Sequence, residues 1–164
     1  MDLLHKDITD NIIKSFYKVY NDLGFGFLEK VYQNALYLEL VGLGFFCEKQ
    51  KQIKVFYNGQ IVGEYFADIN VNNSLIIELK AAESLVEEHE LQLINYLKAT
   101  EIEVGLLLNF GRNPQFKRKV FTNKMKKLKS VLIRLIRVIR VLFRWHIDYN
   151  PFAGIHLSNN SLYY

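Results

Sequence analysis

The sequence predicts an α/β domain, a mixed central β-sheet flanked by helices, followed by a basic helical extension. Three observations carry this expectation. Apolar residues recur at helical spacing over residues 7–22 and again over 28–40. Short alternating or β-branched runs joined by turn residues fill 45–80. A near-continuous apolar run at 103–110 stands beyond a further helical segment. The order helix, helix, three strands, helix, strand, strand places the domain at residues 1–122. Residues 123–164 form the extension, helical first and then loosely ordered.

In the first helix Ile8, Ile12, Ile13, Phe16, Val19 and Tyr20 mark the core side, with Asp7 or Thr9 as the cap. Gly24 and Gly26 interrupt it, and the second helix presents Leu28, Val31, Tyr32, Ala35, Leu36 and Leu40 before the Gly42-Leu43-Gly44 stop. Ile53, Val55 and Tyr57 alternate with Lys54 and Phe56 into Asn58-Gly59, the strongest hairpin signal in the chain. Ser84 is expected to cap a third helix running to about Thr100, with Glu87 at the capping-box position and His89, Gln92 and Tyr96 in one polar stripe. Glu103 to Phe110 has the length and continuous apolarity of a strand buried on both faces. Gly111 to Pro114 is a turn, and Lys117 to Thr122 a basic edge strand.

With 164 residues, half of them apolar, the chain can bury one core. Cys47 is the only cysteine, which excludes an internal disulfide and a multi-cysteine zinc site, and the four histidines show no metal-ligand spacing. The first ten residues carry acids and no long apolar run, so no secretory signal is expected and the default location is cytoplasmic. The net charge of +4 conceals an asymmetry. Residues 1–116 hold 10 Lys or Arg against 16 Asp or Glu (−6), and residues 117–164 hold 11 against one (+10). An acidic body acting on a polyanion needs metal to offset its own charge, with the basic segment as the docking surface.

The stretch YFADINVNNSLIIELK, residues 65–80, places two carboxylates and a lysine on a hairpin. Glu78 and Lys80 share a strand face. Asp68 joins them only if residues 72–74 form a three-residue loop, because a two-residue loop at Asn72-Asn73 would send the carboxylates to opposite faces. Converging acids of this kind make a hard oxygen site suited to Mg²⁺ or Mn²⁺, and an adjacent lysine can orient a water or steady charge on a phosphate. The competing reading is a solvated cross-strand ion pair, which composition alone would favour. Taken singly, Glu29 is explained by a helix N-terminus, and Gln92 with Tyr96 by a boundary hydrogen bond.

The run Gly26-Phe27-Leu28-Glu29-Lys30-Val31-Tyr32 resembles the G-x-x-E-x-x-Y signature of the bacterial GxxExxY proteins, and the likeness extends over about residues 5–121 through YFADINV, IIELKA, HELQLINYLKAT and GLLLNFG. That family in turn is similar to the PD-(D/E)XK nucleases. The resemblance implies a restriction-endonuclease-like core, with Asp68, Glu78 and Glu29 as ligands of Mg²⁺ or Mn²⁺ and Lys80 aligning the attacking water. It also implies that Gln92 and Tyr96 form the Q-x-x-x-Y helix motif of RecB-type exonucleases beside the active site. Ala67 stands where the superfamily's name has proline. The expected activity is phosphodiester hydrolysis, in DNA by analogy, and the alternative is a non-catalytic module that binds nucleic acid or protein. Arg112, Lys117, Arg118 and Lys119 are the expected phosphate contacts.

The likeness stops before the tail, where Arg134, Arg137, Arg140 and Arg144 recur among Val, Leu and Ile. Charges interrupt this rod too often for a transmembrane span. An arm gripping DNA, a helix on an anionic membrane surface, and a packing helix for a second copy or a partner chain compete as its role.

Overall fold

A computed structural model of the chain describes residues 3–148, without the side chains of several positions beyond residue 128. The chain divides into two compact units, Met1–Lys126 and Lys127–Tyr164. The elements follow the expected order: α1 (Lys6–Leu23), α2 (Glu29–Gly42), β1 (Cys47–Tyr57), β2 (Gln60–Val71), β3 (Leu75–Lys80), α3 (Glu87–Ala99), β4 (Val104–Asn109), β5 (Gln115–Val120) and α4 (Asn123–Asp148). The five strands form one sheet in the order β1-β2-β3-β4-β5. All neighbours run antiparallel except β3 and β4, whose parallel pairing needs the crossover that α3 supplies. This is a mixed sheet flanked by helices, with a restriction-endonuclease-like architecture.

The apolar positions read from the sequence divide into two layers. Ile12, Phe16 and Val19 of α1 and Tyr32, Leu36 and Leu40 of α2 cover one sheet face, meeting Ile69, Val71, Leu75, Ile77, Leu79, Val104, Leu106 and Leu108. Leu93, Tyr96 and Leu97 of α3 cover the other, against Ile53, Ala67, Ile76 and Leu107. Burial on both faces explains why β3 and β4 read as continuous apolar runs.

Turn chemistry sets the register. Asn58 and Gly59 both take positive φ (49° and 78°), the geometry of a tight hairpin turn. Asn72 and Asn73 do the same (51° and 52°), so residues 72–74 form the three-residue loop and Ile69 pairs with Ile77 and Val71 with Leu75. Strict alternation would then keep Ala67 on the face of Ile69 and Val71, yet Ala67 packs with the α3 layer. The strand therefore changes face at Asp68. Opposite it in the ladder, between Lys49 and Lys51, Gln50 is held at φ 53° and drops out of the pairing.

Several boundaries differ from expectation for local reasons. Neither Asp7 nor Thr9 caps α1, which starts after His5 with no side-chain cap, and Thr9 lies buried inside it. Ser84 does not cap α3, which starts at Glu87. The Nδ1 of His89 instead accepts the Val86 backbone N–H at 3.4 Å. The fifth strand begins at Gln115, earlier than its basic residues suggested.

The first turn of α4 is tied down within the first unit: the Asn123 amide donates to the Glu101 carbonyl (3.0 Å), and Lys126 donates to the carbonyls of Thr100 (2.7 Å) and Ile102 (3.1 Å). In the second unit the described residues continue as helix, on which Leu128, Val131, Leu132, Leu135 and Ile139 are exposed, as is Arg134. The side chains of Arg137, Arg140 and Arg144, and the loose ordering expected after Asp148, lie outside the described residues. Among the described residues no helix is long and apolar enough to cross a membrane.

The segment leaving β3 is clamped to the end of β4. The Phe110 N–H donates to the Lys80 carbonyl (2.7 Å), and the Asn109 side chain both accepts from the Ala82 N–H (3.0 Å) and donates to its carbonyl (2.9 Å). Gly111 makes this closeness possible, since a Cβ there would lie 1.9 Å from the Ala82 carbonyl oxygen. A Gly111→Ala variant is therefore expected to lose about 1–3 kcal/mol and to melt roughly 4–10 °C lower, read by thermal unfolding. An unchanged midpoint would show that the clamp is not as tight as drawn.

Candidate active site

The face change at Asp68 decides the site. Its carboxylate turns into the plane of the sheet, where Oδ2 accepts the Leu79 backbone N–H at 2.8 Å, in place of a strand carbonyl. Oδ1 accepts from Gln33 and from Gln50, each at 3.2 Å, and Gln33 also donates to the Asp68 carbonyl at 2.8 Å. Gln33 is itself fixed, accepting from Lys30 at 2.6 Å. Asp68 is thus held from three sides.

Glu78 stands in the middle of β3 on the α3 face and is only 3% exposed. Lys80, two residues on and on the same face, donates to its Oε1 at 2.7 Å, while Oε2 is buried with no hydrogen-bond partner. Burial pushes the Glu78 carboxyl up to about 7, and the charge of Asp68 adds to this; the bond from Lys80 opposes it and does not prevail. Burial also raises Asp68, against the Leu79 N–H and Lys80. Burial pulls Lys80 down, but its bond to Glu78 and the charges of Glu78, Glu29 and Asp68 outweigh that and leave it raised. The set is a carboxylate-rich pocket with one cation and one orphaned oxygen.

Glu29 opens α2, and Glu29 and Gln33, four residues apart, lie on one face of that helix. Its Oε1 accepts the Ala81 N–H at 3.2 Å, one residue beyond Lys80. Glu29 and Asp68 line a cleft of about 850 Å³ together with Arg112, Phe25, Phe27 and Leu28; Glu78 and Lys80 are not part of its lining. On the other sheet face Gln92 donates to the Tyr96 hydroxyl at 2.6 Å, and both open onto a separate hollow of about 290 Å³. Tyr96 is raised chiefly by burial and feels the charges of Glu78, Lys80 and Asp68, so this pair borders the acids from behind.

The four basic candidates separate. Arg112 reaches the cleft, its backbone carbonyl held by the Tyr20 hydroxyl at 2.7 Å. Lys117 and Lys119 both pair with Glu90 of α3, and Arg118 donates to the Leu4 carbonyl at 2.6 Å. Alternation along β5 is the reason: successive residues face opposite sides, so the three charges do not form one patch.

The residues that sequence reasoning missed are Gln33, Gln50 and the Asn109–Gly111 clamp. Gln33 had a signal, being a polar residue one helical turn from Glu29 on the side that faces the sheet. Gln50 had none, because its positive φ and its bond to Asp68 arise only where β1 meets β2.

Whether a cation fits can be judged from the donors. The orphaned Glu78 Oε2, and the burial and like charge that raise the two carboxyls, are what a hard dication would relieve, and oxygen ligands suit Mg²⁺ or Mn²⁺. Among the described residues, however, no three acidic, histidine or cysteine side chains already converge as a cage, so the fit is to two carboxylates with Glu29 at the rim.

Because the folded-state Glu78 carboxyl titrates above its ordinary 4.5, the folded chain holds a proton that the unfolded chain has released. The contribution of Glu78 to metal-free stability is therefore greatest below about pH 4.5, falls as pH rises toward 7, and levels off above, by on the order of 3 kcal/mol. Chemical denaturation in chelator across this range should show the slope in the wild type and its loss in Glu78→Gln. Equal slopes in the two would contradict the assignment.

Comparison with known proteins supplies a family. The profile of the PD-(D/E)XK nuclease superfamily matches residues 6–120. No curated protein matches. Among solved structures the chain is similar to SSO0001, at 20% identity and a TM-score of 0.47, covering 94% of this chain and 78% of that one. It is also similar to an alkaline exonuclease, LHK-Exo, from Laribacter hongkongensis, at 12% identity and a TM-score of 0.43, covering 74% and 72%. With a profile match spanning both flanking layers and every strand, the chain belongs to the PD-(D/E)XK nuclease superfamily.

Proposed function

We propose that the chain is a metal-dependent nuclease that hydrolyses phosphodiester bonds in DNA, and that it falls in the GxxExxY group of its superfamily. The observation that carries the reading is the buried Glu78 carboxylate, with one oxygen on Lys80 and the other unpartnered, beside an Asp68 held by three donors. A structural ion pair would not need the second acid. Residues 1–122 form the catalytic domain in this reading, the extension at 123–164 is a basic arm for phosphates, and the site of action is cytoplasmic.

Asp68 and Glu78, with Glu29 completing the set, would hold Mg²⁺ or Mn²⁺. When bound, such an ion lowers the pKa of water and offsets charge on the phosphate. The chain's own residues do the rest. Leu79, Gln33 and Gln50 fix the Asp68 carboxylate so that its oxygens cannot rotate away. Lys80 uses one proton on Glu78 and has two more with which to hold the attacking water and a non-bridging phosphate oxygen. Water adds to phosphorus as it releases a proton to solvent, the P–O ester bond breaks, and the leaving oxygen takes up a proton from solvent. Tyr96, steadied by Gln92, and the Glu29 bond to Ala81 keep the end of β3 in place.

The absence of a ready-made three-acid cage among the described residues favours a second reading, a non-catalytic nucleic-acid or protein-binding module on the same fold. Cleavage of plasmid and single-stranded DNA separates the two. The wild type should cut with Mg²⁺ or Mn²⁺ and not in chelator, and Lys80→Ala should lose roughly 10²–10³-fold in rate while melting as a folded protein. Cleavage undiminished in Lys80→Ala, or no cleavage by the wild type with any divalent ion, would favour the binding module.

A further inference from the structure

The α1–α2 connection, residues 24–28, reads Gly-Phe-Gly-Phe-Leu, and it forms one wall of the cleft that ends on Glu29 and Asp68. Its side chains are in solvent: Phe25 is 57% exposed, Phe27 49% and Leu28 79%. A loop that left them out by lack of structure would be a packing defect, but this one is built. Gly24 and Gly26 take φ of 71° and 106°, which side chains larger than hydrogen rarely adopt. The buried Tyr32 hydroxyl donates to the Gly24 carbonyl at 2.9 Å and accepts the Phe27 N–H at 3.2 Å, tying both ends of the turn to one ring. That ring stacks on Phe110 (centroids 4.4 Å apart, planes 11° from parallel), the residue whose N–H holds Lys80. The Arg112 guanidinium lies 6.0 Å from the centre of the Phe25 ring, so a cation borders the exposed aromatic surface.

We infer that this wall is a stacking platform for unpaired nucleotides of a single DNA strand, which it delivers to the acids, and not a surface for intact duplex. The inference rests on the nuclease reading and names the form of its substrate. Bases within a duplex already stack on one another and present no free ring face to Phe25 or Phe27, whereas unpaired bases do. The pairing of apolar rings with Arg112 and Lys30 along one cleft suits a strand that has alternating flat bases and phosphates. Duplex phosphates, by contrast, would meet a wall of exposed carbon.

The test uses the full chain with Ca²⁺ in place of Mg²⁺, which offsets the acids of the cleft while binding is read without rapid cleavage, with a single-stranded oligonucleotide carrying 2-aminopurine and the same strand in a duplex. The wild type should bind the single strand more tightly and quench the probe. Phe25→Leu and Phe27→Leu, which keep an apolar group and remove the ring, should each weaken single-strand binding roughly tenfold and leave duplex binding unchanged. Both positions are exposed, and equal melting temperatures establish that the variants fold. Tighter binding of duplex by the wild type, or unaltered single-strand binding by both variants, overturns the platform. Metal-dependent cleavage that survives such a result leaves the nuclease reading standing. Ring-dependent binding by a protein that never cleaves removes that reading and retains the platform as a binding surface.

Discussion

A carboxylate in the middle of a sheet buried on both faces is the constraint around which this structure is arranged. Glu78 occupies a position where its neighbours along β3 are Ile77 and Leu79, and only 3% of its surface is exposed. Burial raises the proton affinity of both Asp68 and Glu78, the charge of Asp68 adds to the rise at Glu78, and the single ammonium of Lys80 only partly compensates. An apolar residue there would make a more stable protein. The chain instead surrounds the pair with features that hold the acids in orientation: the change of face at Asp68, the positive φ at Gln50, the glutamine one turn along from Glu29, and the Ala81 N–H on Glu29 itself. Each costs regularity or conformational freedom, and together they make sense as preorganisation of the charged groups.

The apolar layers serve the same end. Phe110 joins the sheet to α1 through Phe16 and to α2 through Tyr32, and its backbone anchors Lys80, two residues beyond Glu78. Tyr32 in turn fixes the loop that walls the cleft, so the position of that loop and the position of Lys80 depend on one stacked pair of rings. The spacing Gly26, Glu29, Tyr32 thereby acquires a physical meaning. The glycine turns the chain, the glutamate enters the site at the start of α2, and the tyrosine locks the turn from the next helical turn.

Much of this was legible because local and tertiary preferences agree. Asn58-Gly59 and Asn72-Asn73-Ser74 are turns in the sequence and in the fold, and the three-residue loop sets Ile69 against Ile77 and Val71 against Leu75, although the strand then changes face at Asp68 instead of carrying the alternation through it. The double burial of β4 followed from its unbroken apolar run. Other features were out of reach because they arise only when distant segments meet. That Asp68 would turn in-plane to cap Leu79, that Gln50 would leave the ladder, and that Lys117 and Lys119 would be taken up by Glu90 are properties of pairs formed across the sheet or between layers. The caps of α1 and α3 failed for a smaller reason. Ser84 and Thr9 are good capping residues, but a capping residue cannot act where tertiary packing starts the helix elsewhere.

The central claim is that the uncompensated carboxyl oxygen of Glu78 and its neighbour Asp68 await a hard divalent ion. Anomalous scattering from crystals soaked in Mn²⁺ tests it most directly. The account predicts one strong peak in contact with the carboxylates of both Asp68 and Glu78, with Lys80 still beside it. Peaks confined to surface acids, with the Glu78–Lys80 pair undisturbed at saturating metal, would contradict it.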